Sequence, residues 1–235
     1  MPAQHQYRDA NIITWAHETT HGLQSRIRNE NFEIGFRKNA FYVLEGRAML
    51  CIEPSFLMSD YVSSIPSSLR GNIYQIYMVQ QQGDWNDTPM YPWDEWTAYA
   101  NGTANRIELD RAEDADEVQH MLEMMVYSAH VLLHDDDTDS DAAIQRRRAF
   151  AWLATRSFSL LDQSEDVATA WTYWQSVLSH GTDVLSLFDD LEIDYPTEVP
   201  SGVVVSSRGT SGPPSLKKAP HRCNHKPDYS AAREK

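Results

Sequence analysis

Residues 17–21 have the types and the spacing that suit a metal ion. They form a His-Glu-x-x-His motif, in which His17 and His21 are four positions apart and Glu18 follows the first histidine. Because a helix has 3.6 residues per turn, positions i and i+4 share a face, and both imidazoles can reach a single Zn²⁺. Glu18 then lies beside the metal, where a carboxylate can take a proton from metal-bound water. The alternative is an amphipathic helix with two polar histidines.

The residues around the motif favour a helix. Asp9 is of a type that caps helix N-termini, and Arg26 and Arg28 suit the C-terminal end of the helix dipole. A third ligand is what separates a metal site from an ordinary polar helix face.

Glu45 is the first candidate for the third ligand. It lies in residues 40–52, a segment rich in β-branched and aromatic side chains. This composition predicts a strand or a hairpin, with Glu45 and Gly46 at a turn or bulge.

Glu95 is the second candidate, and its surroundings predict a helix. Pro92 fits the first turn, Asp94 and Glu95 suit the positive end of the dipole, and Gly102 is suited to end the helix.

The two motifs together resemble the gluzincin branch of the zinc metallopeptidases. In that family a His-Glu-x-x-His helix is followed by a second helix with a Glu-x-x-Ala pattern, which Glu95 and Ala98 match here. The resemblance implies that His17, His21 and Glu95 hold Zn²⁺ and that Glu18 is the general base. It also implies that the small residue three positions after the glutamate lets the two helices approach.

One departure from that family concerns the substrate. Zincins usually place a sheet before the active-site helix, and its edge strand holds the peptide, but only 16 residues precede His17. We therefore expect either that residues 40–52 supply a small sheet from downstream or that an N-terminal portion is missing. A catalytically degenerate zinc-binding module, which keeps the metal without a substrate cleft, is the alternative function.

Two further residues near the presumed ligands are candidates for supporting roles. Tyr99 is one helical turn after Glu95, where a phenol can stabilise a tetrahedral oxyanion, and ordinary aromatic packing is the alternative. Asp94 can accept a hydrogen bond from a ligating histidine, although favourable charge at a helix start explains it equally well.

Composition excludes some functional classes. The net charge of −14 disfavours nucleic acid as a partner, because phosphate binding requires a basic surface. No apolar run is long enough for a membrane span, and the N-terminus lacks the apolar core of a signal peptide. The compartment is left open. Cys51 and Cys223 are the two cysteines, and they form neither a disulfide scaffold nor a metal-binding spacing.

After the His-Glu-x-x-His motif and the segment around Glu45, the pattern is helical. Apolar residues recur at helical spacing over residues 66–82, 112–134, 141–161 and 164–179, and residues 83–89 have the composition of a loop. The sequence therefore predicts an α+β fold that is mainly helical, with a zincin-like active-site helix pair and a small β-hairpin or sheet.

An acidic run between two of these helices has partial resemblance to a calcium loop. Asp135, Asp137 and Asp139 alternate, but Ser140 stands where an EF-hand needs glycine and Arg146 where it needs glutamate. A solvated loop that caps the next helix is the prediction.

The sequence divides into residues 1–192, a zincin-like metallopeptidase domain, and residues 193–235, a disordered tail rich in Pro, Gly and Ser. His221, Cys223 and His225 alternate in this tail and could bind stray metal, but a functionless tail is preferred. The predicted function is zinc-dependent hydrolysis of peptide or protein substrates.

Overall fold

The computed structural model describes residues 11–33, 37–111, 115–165 and 167–200. Over these residues it confirms the mainly helical α+β class, with one two-stranded antiparallel sheet. The α-helices are α1 (Ile12–Glu30), α2 (Met58–Val62), α3 (Gln82–Trp85), α4 (Tyr91–Glu108), α5 (Asp116–His134), α6 (Asp141–Asp162), α7 (Ala168–His180) and α8 (Thr182–Asp190). The strands are β1 (Lys38–Tyr42) and β2 (Ala48–Ile52), and the chain also forms a 3₁₀ helix (Ser67–Leu69) and a π-helix (Gln75–Gln80).

Helix α1 contains the His-Glu-x-x-His motif near its N-terminus. Its N-cap is Asn11, whose side-chain oxygen accepts hydrogen bonds from the backbone N–H of Ile13 at 2.8 Å and of Thr14 at 3.4 Å. The predicted cap at Asp9 was therefore wrong, because an asparagine two residues later satisfies the same orphan donors.

The hairpin forms where the sequence predicts it. Lys38 pairs with Ile52 and Tyr42 with Ala48, and the turn between the strands has positive φ at Leu44 (67°), Glu45 (53°) and Gly46 (70°). Strand β1 packs against α1 and α4, so the hairpin lies beside the helix pair.

Helix α4 is longer than predicted. It has Pro92 in its first turn, but it continues past Gly102 to Glu108. A Cβ atom at Gly102 would lie 2.6 Å from Oε2 of Glu117 and 3.6 Å from a methyl group of Ile13. This glycine is therefore at a close approach of α4 to α1 and α5, and it does not end the helix.

The continuous helix predicted over residues 66–82 is absent. The N–H groups of Asn72 and Ile73 donate to the carboxylate of Glu123, at 2.9 and 3.0 Å, and the N–H of Gly71 donates to the hydroxyl of Tyr127 at 2.9 Å. Because α5 accepts these bonds, the segment divides into the 3₁₀ helix and the π-helix. Helix α3 likewise covers part of the predicted loop at residues 83–89.

The acidic run at residues 135–140 connects α5 to α6. Ser140 caps α6 by accepting from the N–H of Ala143 at 3.1 Å, as predicted for a capping loop. Arg146, which stands where a calcium loop needs an acid, donates from Nε to Asp135 at 3.1 Å.

The hydrophobic core surrounds α5, which packs against α4, α6, α7 and α8. It extends beyond the predicted domain boundary at residue 192, since Ile193 is buried and the ring of Tyr195 packs on Trp174. The rest of the predicted tail, residues 201–235, lies outside the described residues and includes His221, Cys223 and His225.

Glu53, just after β2, connects the hairpin to the start of α4. Its two carboxylate oxygens accept from the side-chain amide of Asn39 and from the backbone N–H of Met90, each at 3.0 Å. Burial raises the pKa of Glu53 to about 7, although the Met90 N–H and the charge of Arg37 act in the opposite direction.

We expect folding stability to depend on pH through Glu53. An acid whose pKa is raised in the folded state stabilises the protein fully below its unfolded value of 4.5, and this stabilisation is lost as the pH rises through about 7. The shift corresponds to about 3 kcal/mol in the free energy of unfolding. Urea unfolding of the parent and of Glu53→Gln across this range measures it, because the variant lacks only this titration. If the free energies of unfolding of the parent and of Glu53→Gln change with pH in parallel, the raised pKa of Glu53 is refuted.

Candidate metal centre

Helices α1 and α4 bring His17, His21 and Glu95 together. The Nε2 atoms of the two histidines lie 3.1 Å apart, and Oε2 of Glu95 lies 3.5 Å from each of them. All three residues are buried, with exposed fractions of 7%, 4% and 1%. Within the part of the chain that the structure describes, no other group of three or more such side chains is arranged to hold a metal ion.

The geometry of this cluster fits Zn²⁺. A tetrahedral zinc ion with ligand distances of about 2.0–2.1 Å sets its ligand atoms roughly 3.3–3.4 Å apart, and the three observed separations lie between 3.1 and 3.5 Å. Oε2 of Glu95 is buried and accepts no hydrogen bond from any described residue. A buried carboxylate oxygen without a donor is costly, so its position beside two imidazoles favours a cation.

Glu45, the other candidate for the third ligand, lies away from this cluster. Its side chain is 78% exposed and pairs with Arg47 at 2.7 Å at the tip of the hairpin. It lies in the turn between β1 and β2, where residues 44–46 have positive φ. The structure therefore brings Glu95, and not Glu45, to the histidines.

Tyr91 orients the carboxylate of Glu95. Its hydroxyl donates to Oε1 of Glu95 at 2.7 Å and also contacts the side-chain oxygen of Gln81. One oxygen of Glu95 is thus occupied, and the other faces the imidazoles. Tyr91 was not among the residues predicted for the site, although its i, i+4 spacing from Glu95 on a predicted helix was an available signal.

Asp94 orients His21. Nδ1 of His21 donates to the carboxylate of Asp94, so that Nε2 faces Glu95. Arg28 lies about two helical turns after His21 on α1. Its side chain is 3.7 Å from Asp94 and donates a hydrogen bond to the side chain of Asn39 on β1 at 2.8 Å. A chain of buried polar contacts therefore connects the hairpin to His21.

The electrostatics of the cluster follow from this arrangement. Burial acts to lower the pKa of His21, but the charges of Glu95 and Asp94 outweigh it, and the pKa lies well above its usual value. Burial acts to raise the pKa of Glu95, but His21 and His17 outweigh it and hold that pKa well below its usual range. Glu95 is therefore a carboxylate, the form in which it can bind a metal ion.

Two buried amides hold α1, α4 and β1 together around the cluster. Gln24 donates to the backbone carbonyl of Asp94 at 3.3 Å and accepts from the N–H of Tyr42 at 3.0 Å. Asn101 donates to the hydroxyl of Thr20 at 3.1 Å and to the carbonyl of Tyr42 at 2.8 Å. These bonds fix the separation of the two helices that carry the candidate ligands.

Glu18 and Tyr99 take different positions relative to the cluster. Glu18 is half-buried on α1, about 100° around the helix from His17 and about 60° from His21. The ring of Tyr99 packs edge-on against His17, with centroids 4.4 Å apart, and its hydroxyl lies 2.9 Å from that of Tyr77. Burial, with the charge of Glu95, raises the pKa of Tyr99, so its hydroxyl remains protonated at neutral pH.

Comparisons with known proteins give no relative. No protein-family model matches the chain, and neither the curated proteins nor the solved structures contain a match. Among the helices in the described ranges, none combines the length and the apolar character that crossing a membrane requires.

We expect one tightly bound Zn²⁺ per chain, because three side chains of suitable chemistry converge. Replacing His17 or His21 with alanine should remove the metal, and Glu95→Gln should weaken its retention, since a neutral amide is a poorer ligand than a carboxylate. Glu45→Gln is the matched control and should keep the zinc. Elemental analysis and chelator competition measure these effects. Full occupancy in a protein lacking both histidines would refute the site.

Proposed function

We propose that this protein is a zinc-dependent metallopeptidase that hydrolyses peptide bonds. The observation that supports it is the convergence of His17, His21 and Glu95 on one buried point, with Glu18 on the same helix as the two histidines. Two imidazoles and one carboxylate form a ligand set of catalytic zinc sites, which keep a fourth position open. When bound, the zinc ion would supply a Lewis acid that polarises the scissile carbonyl and lowers the pKa of water.

The residues of the chain carry out the proton transfers. Glu18 accepts a proton from the attacking water as the oxygen bonds to the carbonyl carbon, and it delivers that proton to the amine as the carbon–nitrogen bond breaks. Glu18 is suited to this role because it lies on the motif helix but outside the group of three candidate ligands.

Tyr99 is proposed to stabilise the negative charge that develops on the carbonyl oxygen. Its ring contacts His17, and its hydroxyl shares a hydrogen bond with Tyr77, in which either oxygen can be the donor. When Tyr77 donates, the proton of Tyr99 is available to an oxyanion.

One observation favours the second candidate function, a zinc-binding module without peptidase activity. A peptide substrate typically adds to a free sheet edge, but both the N–H and the carbonyl of Tyr42, at the end of β1, are bonded to Gln24 and Asn101. From the sequence, this hairpin was expected to replace the upstream sheet. At Tyr42 its backbone instead bonds to α1 and α4 and holds the two helices together.

Glu18→Gln separates the two functions. The amide keeps the size of the side chain but cannot take a proton, so we expect zinc to stay bound while turnover falls by roughly 10²–10⁴-fold. Zinc content and cleavage of a peptide library are measured in parallel, with Glu45→Gln as a control for the loss of an exposed acid. If the parent protein binds zinc and cleaves nothing, the binding module is the correct function. If Glu18→Gln loses the metal, Glu18 is not the base.

A further inference from the structure

The two candidate histidine ligands differ in how their second nitrogen is satisfied. A histidine that binds a metal through Nε2 carries a proton on Nδ1, and that N–H nearly always donates to a carboxylate, a carbonyl or water. Nδ1 of His21 donates to Asp94. Nδ1 of His17 is buried and makes no hydrogen bond to the described residues.

The carboxylate beside Nδ1 of His17 comes from α5. Oε2 of Glu117, in the first turn of that helix, lies 3.9 Å from Nδ1 of His17, and the Glu117 side chain is only 19% exposed. This distance is longer than a hydrogen bond, so the two side chains must move closer for Nδ1 to donate to the carboxylate.

Gly102 provides the space through which Glu117 reaches this position. A Cβ atom there would lie 2.6 Å from Oε2 of Glu117, closer than a carbon and an oxygen can approach. Glycine is also a poor residue for the interior of a helix. Its presence in the middle of α4 is explained if the helix must leave room for this carboxylate.

We propose that Glu117 is the hydrogen-bond acceptor that positions His17 for metal binding, and that Gly102 admits it. The proposal rests on the zinc site of the proposed function. It gives each ligating imidazole its own carboxylate, Asp94 from α4 and Glu117 from α5. Helix α5, which supplies no ligand, then helps to orient the site.

The test is a double-mutant cycle on zinc affinity in the full chain. Zn²⁺ dissociation constants come from competition with a chelating dye, and the visible absorption of the Co²⁺-loaded protein reports the ligand geometry. Glu117→Gln and Gly102→Ala should each weaken zinc binding by about 10–100-fold, the usual effect of losing such a partner, and should change the Co²⁺ spectrum. The double variant should bind no more weakly than Glu117→Gln, because the added methyl group acts only by displacing the carboxylate.

Asp116→Asn is the matched control. It removes the same charge from the same turn of α5, but Asp116 is exposed, so zinc affinity and the Co²⁺ spectrum should stay as in the parent. Circular dichroism of the metal-free proteins checks folding. If Glu117→Gln does not fold, Gly102→Ala carries the test, because alanine favours the helix and a loss of zinc then reports the displaced carboxylate.

Three outcomes overturn the proposal. If both Glu117→Gln and Gly102→Ala bind zinc as tightly as the parent, the role of Glu117 is refuted, and the proposed zinc site is not. An effect of Gly102→Ala that persists unchanged in the Glu117→Gln background shows that the methyl group acts by another route. A parent protein that binds no zinc refutes this inference and the proposed function together.

Discussion

The close packing of α1 against α4 is the constraint on which the rest of the site depends. The motif helix presents two imidazoles on one face, and they become a site only where a carboxylate from another element reaches the same point. Gln24 and Asn101 fasten the two helices to each other and to β1. Gly102 allows a close approach of α4 to Ile13 on α1, and the buried amides fix the distance.

Burial of this polar cluster has an energetic cost that its neighbours offset. An unpaired polar group in the interior is destabilising. Most of the polar groups here have a hydrogen-bond partner: Tyr91 pairs with Glu95, Asp94 with His21, and Arg28 with Asn39. Oε2 of Glu95 and Nδ1 of His17 make no hydrogen bond to the described residues. A bound metal ion and the carboxylate of Glu117, as proposed above, would provide partners for these two atoms.

The β1–β2 hairpin helps to hold the two helices of the site in place. It lies beside α1, and through Asn39 and Tyr42 it contacts both helices of the pair. Its two strands pair at five residues, and Asn39 on β1 accepts a hydrogen bond from Arg28. This use of β1 explains why the geometry supports a zinc site more directly than it supports a peptide-binding groove.

The sequence by itself determined the features that arise from local periodicity. The spacing of His17 and His21 places both imidazoles on one face of any helix, and the composition around Glu45 predicted the hairpin. The tertiary structure decided which glutamate joins the histidines, because only the packing of distant elements puts Glu95 inside and Glu45 at an exposed tip. It also decided the secondary structure of residues 66–82, where Glu123 accepts hydrogen bonds from backbone N–H groups that a continuous helix would have used. Gly102 looked like a helix end because local propensity reports only backbone preference, and its partner Glu117 comes from the next helix.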